Sequence, residues 1–164
     1  MLIFDKARIF SITLKVIPTR MWSPEALTRA DLTSLPSVHG HLDVNLQINP
    51  ALKGTFKTAH PGSITLNPGG VLLPSLSGKV CVKQLYFSGE SGAVRRYGPS
   101  EERNFIYSEV GCLDWARILL DLTYQFMEAY EGGQENFPGT IPKLRFVEAA
   151  IAECDIGKFF LVEE

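Results

Sequence analysis

The sequence has few cysteines and no apolar run long enough to cross a membrane. Its three cysteines, Cys81, Cys112 and Cys154, are scattered, and none belongs to a C-x-x-C pair. This usage argues against a disulfide framework and favours a reducing compartment. No apolar stretch approaches the roughly 20 residues of a membrane helix, and Asp5 and Lys6 interrupt the apolar amino terminus before a signal-peptide core could form. We therefore expect an intracellular protein, cytoplasmic or nuclear, that is not bound to a membrane.

An excess of either charge is also absent. The formal net charge is −2, and no long block of basic residues occurs, which gives no reason to expect a nucleic-acid partner. With 45% hydrophobic residues and 164 residues in all, the chain can bury the core of one domain. Nucleotides and peptides remain open as ligands.

The hydrophobic pattern predicts several strands and one long helix. Apolar and polar residues alternate in most of the predicted strands, as they do when one face of a strand is buried. Helical spacing of apolar residues runs from Arg103 to Glu131, after the acidic pair Glu101 and Glu102. We predict strands at 9–17, 41–48, 55–60, 78–87, 144–153 and 158–164, a short helix at 23–27, and loops at 61–77 and 88–99. The expected fold class is α+β, with a mostly antiparallel sheet packed against one long helix.

A lysine stands in the middle of the strand predicted at 78–87. Burying part of the Lys83 side chain costs desolvation free energy unless an anion or a carboxylate meets its ammonium group. A plainer interpretation is that Lys83 lies on an edge strand and extends its ammonium to solvent.

Two other features join Lys83 to suggest a nucleotide site. Gly54 lies in a turn between two predicted strands, and Glu109 lies in the amino-terminal half of the long helix. A glycine turn, a strand lysine and a helix glutamate occur in this order in the nucleotide-binding part of protein kinases. Taken alone, the Gly54 turn is equally typical of an ordinary hairpin. Glu101 and Glu102 are weaker candidates than Glu109, because acidic residues at a helix start are usually solvated.

Short motifs resemble the amino-terminal lobe of the alpha-type protein kinases. The turn at 53–57 (KGTFK) resembles the family's glycine turn, and 80–83 (VCVK) resembles its V-x-K strand. A long helix and an apolar strand follow, and 160–163 (FLVE) resembles its hinge. The resemblance covers roughly residues 42–164 and divides the chain into a lead-in segment, 1–40, and a nucleotide-binding lobe, 41–164.

The resemblance implies an ATP-dependent protein serine/threonine kinase with a lobe-like fold. The resemblance implies that Lys83 contacts the phosphates and that the turn formed by Gly54, Thr55, Phe56 and Lys57 approaches them. Glu109 is our candidate for the carboxylate that aims this lysine, because it lies in the amino-terminal half of the helix. Val82, Val162 and Glu163 complete the expected ATP site as an apolar wall and a polar edge for adenine. The ligands for Mg²⁺ and the catalytic aspartate belong to a carboxy-terminal lobe that has no counterpart here, so the resemblance implies a fragment that cannot complete phosphoryl transfer.

Two other interpretations remain open. The first is a non-enzymatic interaction module that keeps a kinase-like shape and binds a partner protein. The second is a metal site formed by His39, His41 and His60, although three histidines without a neighbouring carboxylate or cysteine cluster are weak evidence for one.

Overall fold

The computed structural model describes residues 8–17, 34–46, 52–69, 76–88, 94–131 and 143–164. The short helix predicted at 23–27 lies outside these ranges. The elements are β1 (Arg8–Val16), β2 (Ser37–Val44), β3 (Leu52–Lys53), β4 (Lys57–Leu66), β5 (Gly78–Leu85), β6 (Phe87–Ser88), β7 (Val94–Arg95), α1 (Pro99–Glu131), β8 (Ala149–Cys154) and β9 (Phe159–Glu163).

Six of these strands form a closed antiparallel barrel. Their order is β2, β1, β8, β9, β5 and β4, and β4 pairs back with β2, from Gly40 opposite Leu66 to Val44 opposite Gly62. The short β3 adds to β4, and β6 and β7 form a separate hairpin. The predicted fold class, a sheet packed against one helix as in a kinase lobe, is therefore wrong. The β2–β4 pairing joins the two ends of the sheet and makes a barrel with a helix outside it.

The barrel interior is filled by the inward-facing apolar side chains of its strands. Phe10 and Phe160 pack inside it with ring centroids 5.8 Å apart. The same core includes Ile12, Leu14, Val16, Leu42, Val44, Ile64, Val80, Val82, Ala150, Ala152 and Val162. Since alternate residues of a strand point to opposite faces, the residues between these point outward.

Helix α1 covers part of the outer barrel surface. It begins at Pro99, within a few residues of the predicted start, and this proline occupies the first turn. The Gly98 N–H, which has no partner within the helix, donates to Glu101 Oε2 at 3.1 Å. Ile106 and Val110 are fully buried against outward-facing residues of β8 and β9. The long helix is confirmed, and its first half fixes which face of the barrel is covered.

Strand β4 extends further along the chain than predicted. The predicted loop at 61–77 begins inside β4, with Pro61 opposite Cys81 of β5. On its other side, β4 pairs with β3 up to Ala59 and with β2 from Gly62, so Pro61 occupies a gap where no N–H is needed. The strand predicted at 158–164 is confirmed as β9, which has partners on both sides, β8 and β5.

Candidate functional site

Four charged side chains from four elements meet on the outer barrel surface beside α1. They are Lys57 of β4, Lys83 of β5, Glu109 of α1 and Glu163 of β9, and we call them the charged patch. Lys83 faces outward because its strand neighbour Val82 points into the barrel. Its strand is not an edge strand, since β5 lies between β4 and β9.

The charged patch consists of two ion pairs. Lys83 Nζ lies 2.5 Å from Glu163 Oε2, and Lys57 Nζ contacts Glu109 Oε1. The side chains are 25% and 13% exposed in the first pair and 29% and 27% exposed in the second. Lys83 therefore has the carboxylate partner that its position required, but that partner is Glu163, whereas Glu109 meets Lys57.

The two lysines are close neighbours on the same face. Lys57 is opposite Leu85, and Lys83 is opposite Ala59. This places the lysines on a diagonal between adjacent antiparallel strands, about 7–8 Å apart at Cα in ordinary sheet geometry. Their ammonium groups can therefore contact one anion of more than one phosphate group.

The glycine turn lies at the end of the same pair of strands. The Gly54 N–H donates to the Lys57 carbonyl at 2.9 Å, and the Tyr86 N–H donates to the Phe56 carbonyl at 2.9 Å. The hydroxyl of Tyr86 also donates to the Gly54 carbonyl. Thr55 is exposed, and the Phe56 side chain is 68% exposed. The turn is thus fastened to the carboxyl end of β5, close to Lys57.

Gly54 is not required by the conformation of its turn. Positive φ angles occur among the described glycines at Gly69, Gly78 and Gly157, and Gly54 is not one of them. A Cβ atom at Gly54 would meet only the Lys57 carbonyl oxygen within 4 Å, at 3.5 Å, an ordinary contact. The turn itself would accept alanine, so the absence of a side chain leaves open space above the backbone.

The two valines expected near adenine lie elsewhere. Val82 and Val162 are opposite each other on β5 and β9, and both side chains are fully buried in the barrel. They do not reach the surface on which the charged patch lies. The outward-facing neighbours of the lysines include Ala59 and Cys81, and also Leu85 opposite Lys57 and Leu161 opposite Lys83. Burial raises the pKa of the Cys81 thiol.

A polar network closes one end of the barrel, and nothing in the sequence pattern pointed to it. His60 and Thr58 are almost fully buried and form a hydrogen bond of 2.9 Å between Nε2 and Oγ1. Arg96 donates to Thr58 Oγ1 at 3.2 Å and to the carbonyls of Gln84 and Leu85 at 3.4 and 3.1 Å. Arginines in a glycine-rich loop are usually solvated, so only the fold reveals that Arg96 binds strand backbone.

Glu102 is a buried acidic residue at the start of α1, where the sequence pattern predicted a solvated side chain. It is 4% exposed, and its Oε2 accepts a hydrogen bond of 3.1 Å from the Phe159 N–H. Burial raises the pKa of Glu102, while this hydrogen bond and the charges of Lys158 and Arg96 oppose the rise. The side chain fastens the start of α1 to β9 and does not contact the charged patch through any of these interactions.

A cavity of about 370 Å³ lies on the barrel surface around β1 and β2. His39 and His41 line it together with Thr13 and Asp155, and the Thr13 hydroxyl lies 3.2 Å from His39 Nδ1. His60 points into the barrel instead, so the three histidines do not converge. Within the described ranges, no group of three or more His, Cys, Asp or Glu side chains is arranged to hold a metal ion.

Comparison with known proteins supplies no further assignment. No family model matches the chain, and neither a curated protein nor a solved structure is similar to it. Among the helices of the described residues, none combines the length and the apolar character of a membrane span.

Proposed function

We propose that this chain carries the ATP-binding site of an alpha-type serine/threonine protein kinase, which transfers a phosphoryl group from ATP to protein hydroxyls. The observation that carries the proposal is the charged patch. Two half-buried lysines lie diagonally on adjacent strands, beside a glycine turn. Catalysis of phosphoryl transfer depends on positioning the phosphates and neutralising their charge, and lysines serve as point charges for this purpose.

The glycine turn supports the same proposal. Because Gly54 is not needed for the turn conformation and leaves space above its backbone, a phosphate can approach closely there. The two halves of the proposed site, turn and lysines, share β4, since Lys57 is both the last residue of the turn and the first residue of the strand. We propose that the phosphates lie between Gly54 and Lys83, with Lys57 beside them.

The surface that we propose for adenine differs from the one that the motifs suggested. The outward-facing Ala59 and Cys81 flank the lysines, whereas Val82 and Val162 are enclosed in the barrel. We propose that adenine lies against Ala59 and Cys81. The resemblance also implies Mg²⁺, which usually takes one or two carboxylates together with the phosphates of the nucleotide. We assign this chain ATP binding.

Replacement of Lys83 tests the proposal. Calorimetry with ATP, with and without Mg²⁺, should detect binding to the wild-type chain and a loss of at least about tenfold, or about 1.4 kcal/mol, in Lys83→Met. Lys143→Met is the matched control, because Lys143 also pairs with a glutamate, Glu128, but is 79% exposed. Unchanged ATP affinity in Lys83→Met would sink the proposal.

Gly54 gives an independent check of the same site. Gly54→Val should weaken ATP binding by blocking the space above the turn, while Gly54→Ala should leave the melting temperature unchanged because its Cβ makes only an ordinary contact. If Gly54→Val binds ATP as wild type does, the phosphates do not lie on this turn.

A second candidate function is a protein-interaction module. The second half of α1 and the segment after it carry large apolar side chains that are exposed, namely Leu119, Phe126, Tyr130, Leu144, Phe146 and Val147. Exposed apolar patches often mark interaction surfaces. An interaction module would not bind ATP and would tolerate both Gly54 variants, so the two experiments above separate the candidates.

A further inference from the structure

Both lysines of the charged patch are already paired with carboxylates of the same chain. Glu163 is the more buried carboxylate, at 13% exposed, and its Oε2 lies 2.5 Å from the Lys83 ammonium. The two strands concerned are directly paired, with Cys81 opposite Glu163 and Lys83 opposite Leu161. The Lys83–Glu163 contact is therefore a diagonal pair held by the rigid barrel and does not depend on a loop.

We propose that Glu163 is an internal competitor for the phosphate site. In the free protein its carboxylate pairs with the Lys83 ammonium, and this ion pair breaks when a polyphosphate binds. This inference rests on the proposed function, because it assigns a regulatory role to a residue of the proposed ATP site.

Electrostatics decides the direction of the effect. With both ion pairs formed, the charged patch contains two positive and two negative charges, so it offers a phosphate little net attraction. A phosphate placed at Lys83 would also lie within a few ångströms of the Glu163 carboxylate, and like charges in a half-buried setting repel strongly. A polyphosphate displaces the carboxylate because it brings several negative charges close to Lys83, whereas Glu163 brings one.

The exchange involves no covalent step. Lys83 changes its partner from a carboxylate to a phosphate oxygen, and Glu163 turns toward solvent. The unliganded patch is thus self-neutralised, and ligand binding carries the free-energy cost of breaking one internal ion pair. Removing the carboxylate should remove that cost.

Inorganic tripolyphosphate is the appropriate probe, since it has the phosphates of ATP without the base. Calorimetry at about 0.1 M salt should find that Glu163→Gln binds tripolyphosphate about tenfold more tightly than wild type, or about 1.4 kcal/mol. Glutamine keeps the size of the side chain and one acceptor oxygen but removes its charge, and thermal unfolding should verify that the barrel is intact. Lys83→Met/Glu163→Gln should lose the gain, because the gain acts through Lys83.

Glu128→Gln is the matched control. Glu128 also pairs with a lysine, Lys143, at 3.3 Å, but it lies 19 residues further along α1 than Glu109, about 28 Å by helical rise. It should bind tripolyphosphate as wild type does. A similar gain in this variant would attribute the effect to net charge alone and overturn the competition.

The outcomes separate this inference from the proposed function. Tighter binding to Glu163→Gln that depends on Lys83 supports the competition. Unchanged or weaker binding to a folded Glu163→Gln, or no tripolyphosphate binding by either protein, overturns it. The ATP experiment on Lys83→Met, made separately, decides the proposed function whichever result the tripolyphosphate experiment gives.

Discussion

His60 is a titratable side chain held inside the barrel end. Its ring is 2% exposed, bonds to Thr58 and lies near the Arg96 guanidinium. Burial, reinforced by the positive charge of Arg96, lowers the pKa of His60 from its usual 6.5. The folded protein therefore resists protonation at a position where the unfolded chain accepts a proton freely.

This shift predicts a loss of stability on acidification. Between the lowered folded pKa and the unfolded value near 6.5, the unfolded state binds more protons, so the free energy of unfolding falls as pH falls through this range. The effect of one group is at most about 1.4 kcal/mol per pH unit. Urea unfolding at pH 7.5 and 5.5 should show a smaller pH difference in His60→Asn than in wild type, whatever its absolute stability.

The matched control is His41→Asn, because His41 is exposed on the outer face of β2. It should keep the wild-type pH difference. Glu102, whose pKa is raised by burial, acts in the opposite direction, but it is present in all three proteins and cancels from the comparison. Equal pH differences in His60→Asn and wild type would show that His60 does not resist protonation.

The sequence predicted that Lys83 needs an anionic partner, but it did not identify that partner. A lysine in mid-strand required an anionic partner, and Glu163 supplies it. The identity of the partner depends on which strands adjoin β5, and the 80 residues that separate Lys83 from Glu163 carry no local signal of that pairing. The contacts of Arg96 and Glu102 could not be predicted for a related reason, because each residue lies in a segment whose local pattern is typical of solvated residues.

Among the elements, α1 was predictable and its partial packing was not. Helical spacing identified the run from Arg103, and the capping residues explain the start at Pro99. Its buried side chains lie between Glu102 and Ile118, whereas the part after Ile118 carries exposed residues such as Phe126, at 72%. The helical spacing of apolar residues indicates which face of the helix is apolar, but it does not indicate how much of that face packs against the barrel.

Two substitutions in α1 should therefore differ sharply. Ile106→Ala removes fully buried methyl groups and leaves a cavity, which should lower the free energy of unfolding by about 2–5 kcal/mol. Phe126→Ala, in the same helix, should change it by less than about 0.5 kcal/mol, as is usual for surface positions. Urea denaturation monitored by circular dichroism would measure both, and equal effects would contradict the division of the helix into a packed and an exposed half.

For the whole molecule, the decisive contact is the seam between β2 and β4. The alternating pattern of the strands predicted one buried face and one exposed face, which holds equally for an open sheet and for a barrel. Closure requires β2 to pair with β1 on one side and with β4 on the other. The alternation of apolar and polar residues is the same whether or not the second pairing forms. The sheet was therefore predictable and its closure was not.

Gly40 tests the seam directly. A Cβ atom at this position would lie 2.5 Å from the Thr65 carbonyl oxygen, which belongs to the backbone of β4 and cannot turn aside. Gly40→Ala should therefore destabilise the protein by about 1–3 kcal/mol or more, as overpacking does. Chemical denaturation against Gly54→Ala, whose Cβ has room, is the comparison, and equal stabilities would mean that β2 and β4 are not in close contact.

The seam and the pairing of β1 with β8 also govern how the protein is made. Strand β1 is synthesised early, yet its two neighbours in the barrel are β2 and β8, and β8 comes more than 130 residues after the end of β1. Contacts between distant parts of a chain form slowly, because loop closure costs entropy before the contact stabilises anything. During translation, β1, β2, β4 and β5 can pair as an open sheet before β8 exists, and the apolar face of that sheet has no covering. The barrel must therefore close late, after β8 and β9 have emerged from the ribosome, and until then its early strands present an apolar face suited to chaperone binding.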